Sequence, residues 1–214
     1  GGTAGIGASI GAAVARNLIG YDKDGNKIES GVEAKLLNTS VKATDELSQR
    51  ANANQTVDAQ VLAGSVALSG GGTAGVSLSG AGVSATNKIG TTVNAQIDGD
   101  GSEGIEAASV SLEAIDSSEI SSDAGAASLA GSVGGTAGIS ASIGVSLAEN
   151  EISNEITASI DNADNGVTAT VEDIKLTATE TATVSTTAAA ASAAAAVAGI
   201  AGISLSGAGA KATN

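Results

Sequence analysis

Three loops of this chain carry oxygen-rich sequences punctuated by Gly, the composition from which Ca²⁺ sites are built. They are Asp22-Lys-Asp24-Gly-Asn26, Asp98-Gly-Asp100-Gly-Ser-Glu103 and Asp161-Asn-Ala-Asp164-Asn-Gly166. The first resembles the front of an EF-hand loop, with Glu33 at the twelfth place counted from Asp22. Lys27 stands at the sixth place, where a sharp turn needs Gly, and brings a positive charge to the rim. Asx/Gly-rich turns that need no metal account for the same residues. Calcium at Asp22, Asp24, Asn26, Asp98, Asp100, Asp161 and Asp164 is therefore one expectation, and metal-free turns are the other.

Other chemistry is poorly supplied. The chain has no His and no Cys, so the usual activated nucleophiles and thiolate sites are missing. Neighbouring carboxylates such as Glu149 and Glu151 read as solvated faces rather than an acid/base couple. The Gly-rich segments lack the Lys-Ser/Thr and following helix of a phosphate cradle. No catalytic and no cofactor-binding residue is assigned, and an enzyme is not expected. Net charge is −14, and the nine Lys and Arg are scattered. That argues against nucleic acid and against docking on anionic membrane. No apolar run is long enough to span a bilayer, so membrane insertion is not expected.

The elements that would position these loops follow from a repeat. Gly-Thr-Ala-Gly begins at Gly2, Gly72 and Gly135, and a degenerate copy begins at Gly199, giving intervals of 70, 63 and 64 residues. Gly72, Gly75, Gly135 and Gly138 are thus repeat positions, as are Asn17, Asn87, Asn150 and Asn214, each 15 residues after the first Gly. A second block reads Val32-Glu-Ala-Lys-Leu36, Val93-Asn-Ala-Gln-Ile97 and Ile156-Thr-Ala-Ser-Ile160. The units are 1–71, 72–134 and 135–198, with 199–214 opening a fourth. A fixed period of this size marks a stacked array. The insert Tyr21–Glu29 of the first unit is expected on the outside of the array. The absence of Met, with a start and an end inside repeat units, implies a stretch of a longer polypeptide.

Alternation of period two runs through the Gly motifs. Leu129, Val133, Ile139, Ile143, Val145 and Leu147 share one parity, and Ser128, Ser132, Ser140, Ser142 and Ser146 share the other. That is a β signal, and the aliphatic parity is expected to be the buried one. About 20 residues without a break would make a strand of roughly 66 Å. The strand either bends at Gly pairs such as Gly134-Gly135, as in a β-solenoid, or runs straight in flat stacked sheets of long strands. The all-β parallel β-helix is the primary expectation, with each unit wound as three coils of about 21 residues. With such coils the recurrent Asn residues could not touch, so a turn-forming Asn is preferred over an Asn ladder. A parity shift between Glu172 and Ile174 reads as a bulge. Ala188–Ala196 reads as a tightly packed strand, with a short helix as the alternative.

Gly-Gly-Thr-Ala-Gly-Ile/Val, the alternating run to Asn, and the Val/Ile-x-Ala-x-Ile block resemble repeats of giant bacterial secreted proteins of the filamentous haemagglutinin and adhesin type. The resemblance implies a parallel β-helix shaft, display at the cell surface or outside the cell, and roles in adhesion, biofilm matrix or toxin delivery. It carries over no functional residue. An acidic Ser/Thr/Ala/Gly-rich repeat without Cys points to the same compartment. The expected function is a stiff spacer in an extracellular fibre or adhesin shaft, its partners the neighbouring repeats. The alternative is a filament whose repeats self-associate.

Overall fold

The computed structural model describes residues 2–214 and forms a parallel β-solenoid. The first coil comprises β1 (Ala4–Ile19), β2 (Gly31–Leu37), β3 (Val41–Lys42), β4 (Glu46–Ala53) and β5 (Thr56–Gly71). The second comprises β6 (Ala74–Ile89), β7 (Thr92–Asp98), β8 (Ile105–Ala107), β9 (Ser109–Asp116) and β10 (Glu119–Gly134). The third comprises β11 (Ala137–Ile152), β12 (Glu155–Asp161), β13 (Val167–Ala169), β14 (Ile174–Glu180) and β15 (Thr183–Ala198), and β16 (Ala201–Thr213) opens the fourth. Equivalent strands pair in parallel from coil to coil, in the orders β1-β6-β11-β16, β5-β10-β15, β2-β7-β12, β3-β8-β13 and β4-β9-β14.

One repeat is therefore one coil, not three. Ala4 pairs with Ala74, and Ala74 with Ala137, one whole sequence interval apart. The reason is the length of the first and last strands of each coil. β5, β6, β10, β11 and β15 are each 16 residues long, against a usual 3–10. Two such strands consume half of every repeat.

Each coil has two parts. Its short strands enclose a base filled with aliphatic side chains, including Val93, Ala95, Ile97, Ile105, Val110 and Leu112. The Val/Ile-x-Ala-x-Ile block points inward there, as its alternation predicts. The two long strands leave the base as a blade, in which β5 lies against β6 and β10 against β11. At the blade tip the chain reverses through Gly72-Thr73 and Gly135-Thr136, where the Gly72, Thr73 and Thr136 amides bond the preceding coil. The Gly pair Gly134-Gly135 does mark a corner, but between two straight strands.

Burial in the blade is opposite to the expected sense. The Ser, Ala and Gly parity faces the opposing sheet, and the Ile, Leu and Val parity faces outward; Ile10 is 88% exposed. The cause is the distance of approach. A methyl group on Gly5 would sit 2.1 Å from the Gly70 carbonyl oxygen, and one on Gly75 would sit 2.5 Å from that of Val133. The two backbones touch at these points, closer than the ~10 Å that separates sheets packed through larger side chains. No branched aliphatic side chain fits between them there. Aliphatic packing returns in the lower blade, where Val61 and Val83 are buried among Ala81, Ala85, Ala124 and Ala126, and at the root, where Val57, Ala59, Ile89 and Ile120 meet.

Two smaller expectations resolve as well. The parity shift near Glu172 is a corner between β13 and β14 rather than a bulge. The Ala188–Ala196 run is strand throughout. β-pairing against Ala124–Ser132 overrides the helical preference of Ala.

Candidate functional site

The acidic loops lie at base corners, and their carboxylates serve as acceptors for protein donors. Asp22 accepts the backbone amides of Asp24 and Asn26 at 2.9 Å and the Asn26 side-chain amide at 3.0 Å. These bonds, the Asn26 side chain first, hold its carboxyl below the ordinary range. Asp24 pairs instead with Lys23. Asp100 is buried and takes the Asn165 and Gly166 amides of the next coil at 2.7 and 2.6 Å. Asp98 accepts from Asn162. Asp161 accepts from Ser159 and Gln96, which lower its pKa in that order. Asp164 is exposed. Among the described residues no three Asp, Glu, His or Cys side chains converge as a metal-binding group. The loops brace one coil against the next.

The recurrent Asn residues are not turn residues. Asn17, Asn87 and Asn150 lie inside β1, β6 and β11 and point into the blade root, with Asn87 fully buried, and Asn214 follows the end of β16. The Asn17 amide donates to Asn87 at 2.7 Å, and Asn87 donates to Asn150 at 2.7 Å. Asn150 donates on to Asn214 at 3.4 Å. Because one repeat is one coil, copies 63, 64 or 70 residues apart are direct neighbours, and the ladder needs no intermediates. Ser122 and Thr186 on the facing sheet accept the second amide hydrogens.

Higher in the blade a second polar seam runs along the axis. Ser9, Ser79, Ser142 and Ser206 occupy one register row, facing Ser65, Ser128 and Ser192. The Ser65–Ser79 and Ser128–Ser142 hydroxyls bond across the seam at 2.7 Å in each case. Ser77 and Ser146 instead donate to the carbonyls of Ala67 and Ala124. These four hydrogen bonds pair the buried hydroxyls with one another or with facing carbonyls.

The insert of the first coil folds outside the solenoid, as expected, and straps three coils together. Tyr21 and Lys27 form an antiparallel bridge beside Gly90. The Tyr21 hydroxyl donates to Glu151, and Lys27 Nζ donates to the Ser153 carbonyl, both in the third coil. Lys88 sits 5.7 Å from the Tyr21 ring centroid and 2.7 Å from a Glu151 oxygen. The Lys88 bond lowers the Glu151 pKa, and the Glu151 bond raises that of Lys88. Desolvation and the Glu151 charge raise that of Tyr21.

The surface missed in the sequence is the outer aliphatic face of the blade. One signal could have found it. At the inner positions Ser9, Ser79, Ser142 and Ser206 the residue is constant from copy to copy. At the outer positions Ile10, Gly80, Ile143 and Gly207 the volume swings between extremes, which a closely packed interior does not tolerate. No protein-family model matches the chain, and neither a curated protein nor a solved structure is significantly similar to it.

Proposed function

We propose that the chain is a structural repeat segment of a bacterial extracellular fibre or adhesin shaft, acting as a stiff element at the cell surface with no catalytic role. The observation behind this reading is the continuity of pairing. Every strand of the second coil bonds in register to its equivalents on both sides, and the Asn ladder, the Asp100 bridges and the Tyr21 strap run along the same axis. An array built so is a rod in which each repeat stiffens its neighbours.

A second reading is favoured by a separate observation. Adding one coil lengthens the rod by only ~4.8 Å, since that is the spacing between paired strands. A repeat of 63 residues is a costly way to gain length and an effective way to gain breadth, with exposed aliphatic side chains along the added breadth. This supports a matrix filament whose repeats are themselves the associating part.

The test is electron microscopy of chains carrying 10, 20 and 30 repeats. Rod length is expected to rise by about 5 Å per repeat at constant cross-section. Globules whose diameter grows in all directions would overturn the rod. Surface labelling of intact producing cells with an antibody to the Tyr21–Glu29 loop tests the location, and signal only after lysis would refute it.

A further inference from the structure

We propose that the outer face of β1, β6, β11 and β16 is a self-complementary interface that mates with the same face of a second copy of this chain. This deepens the filament reading and rests on it.

Two adjacent outer rows of the face carry a checkerboard. One row across the four coils reads Ala8, Leu78, Ala141, Leu205, alternating small and large. The next reads Ile10, Gly80, Ile143, Gly207, in the opposite phase. Leu78 and Leu205 are 49% and 68% exposed, so they stand as knobs. A methyl group on Gly80 or Gly207 would meet nothing within 4 Å, so these positions are open holes. Ala8, Ile10, Leu78, Gly80, Ala141 and Ile143 together line one such depression.

A two-fold axis parallel to the strands brings two copies face to face with blade tips aligned and coil order reversed. Ile10 of one copy then faces Gly207 of the other, and Ile143 faces Gly80. In the adjacent row Ala8 faces Leu205, and Leu78 faces Ala141. In these two rows each knob meets a hole, as a two-fold symmetric interface requires of a single surface. The row Ile6, Val76, Ile139, Ile203 is instead large throughout and sets aliphatic side chain against aliphatic side chain. The same operation sets Lys88 of one copy opposite Glu151 of the other at the base, because the two share a register row.

Charge and area select a second copy as the occupant. The chain carries −14, so copies repel wherever acidic faces meet. The rows from Ala4 to Val14 contain one charged residue, Lys211, in all four coils. The outer face of the opposing sheet carries Asp58 and Asp123 in adjacent outer rows, next to its apolar positions. This patch, uncharged but for Lys211, measures about 36 Å by 19 Å, roughly 700 Å² per copy. That approaches the ~800 Å² per partner of a standard stable interface.

Sedimentation equilibrium of the chain, with and without neutral phosphatidylcholine vesicles, tests this. Dimers are expected without lipid. Ile143→Asp should weaken association about tenfold or more, as loss of a buried anchor does. Leu129→Asp, on the opposite outer face, should leave it unchanged. Gly80→Leu separates complementarity from general stickiness. It adds apolar surface yet fills a hole, so it should also weaken the dimer. A monomer at all concentrations, stronger association of Gly80→Leu, equal loss in Leu129→Asp, or association only on vesicles would each overturn the proposal. Circular dichroism confirms folding of each variant. Rod growth with repeat number in Ile143→Asp keeps failure of the interface distinct from failure of the rod.

Discussion

The base and the blade are built from the same alternating pattern and bury opposite halves of it. In the base, Val93, Ala95 and Ile97 point inward, and Thr92, Asn94 and Gln96 stand on the outer side. In the blade, Ser140 and Ser142 point inward, and Ile139 and Ile143 face solvent. The difference is set by what lies across the gap. Base strands surround a volume that branched side chains can fill, and apolar burial stabilises them. Blade strands lie backbone to backbone, so fit and hydrogen bonding decide which parity enters. Hydrophobicity predicts the buried face only where there is room for a hydrophobic side chain.

The largest expected effect contrasts one truncation at two places. Ile97→Ala in the base should cost about 2–5 kcal/mol, as large-to-small core substitutions do. Ile143→Ala on the blade, measured where the chain is monomeric, should stay within about 0.5 kcal/mol, as exposed substitutions do. Equal losses in denaturant unfolding would erase the contrast.

Next comes overpacking. Gly75→Val places a branched side chain against the Val133 carbonyl and should cost about 3 kcal/mol. Hydrogen exchange should then accelerate in β6 and β10 while β7 and β9 stay protected.

Asn87→Ala should cost about 1–3 kcal/mol, because the Asn17 donor and the Asn150 acceptor lose their partner inside the blade root. A thermal melt matching the wild type would show that the ladder contributes nothing net.

The pH response of the strap is smaller. Glu151 has a lowered pKa, so its contribution is present above its ordinary value of 4.5 and is lost as pH falls through the lowered one. Lys88 and Tyr21 have raised values. Their contributions are present below 10.5 and 10.0 respectively and are lost as pH rises through the raised ones. The groups are largely solvated, so Glu151→Gln should flatten the acid limb by about 2 °C or less in Tm. Last, chelation of calcium should leave Tm unchanged, since protein donors already engage Asp22, Asp98, Asp100 and Asp161. A rise in Tm on adding calcium would refute this.

Much of the fold was legible because repetition amplifies weak signals. The alternation around Ile143 marks strand, Gly134-Gly135 marks the tip, and the Val/Ile-x-Ala-x-Ile block marks the base wall. Coil length was not legible, since period two is indifferent to whether a strand runs seven residues or sixteen. That error concealed the Asn ladder, because Asn87 and Asn150 touch only if one repeat is one coil. The mating face was hidden by the assumption that Ile10 and Ile143 must be inside.

The sequence by itself determined the repeat, the β character, the parallel stacking of equivalent segments and the exclusion of thiol and histidine chemistry. These follow from residue identity and from side chains alternating along an extended chain. Only the tertiary structure decided which parity is buried, how long each coil is and which polar residues meet. Those depend on how closely two backbones approach, and that distance arises between segments that are far apart along the chain.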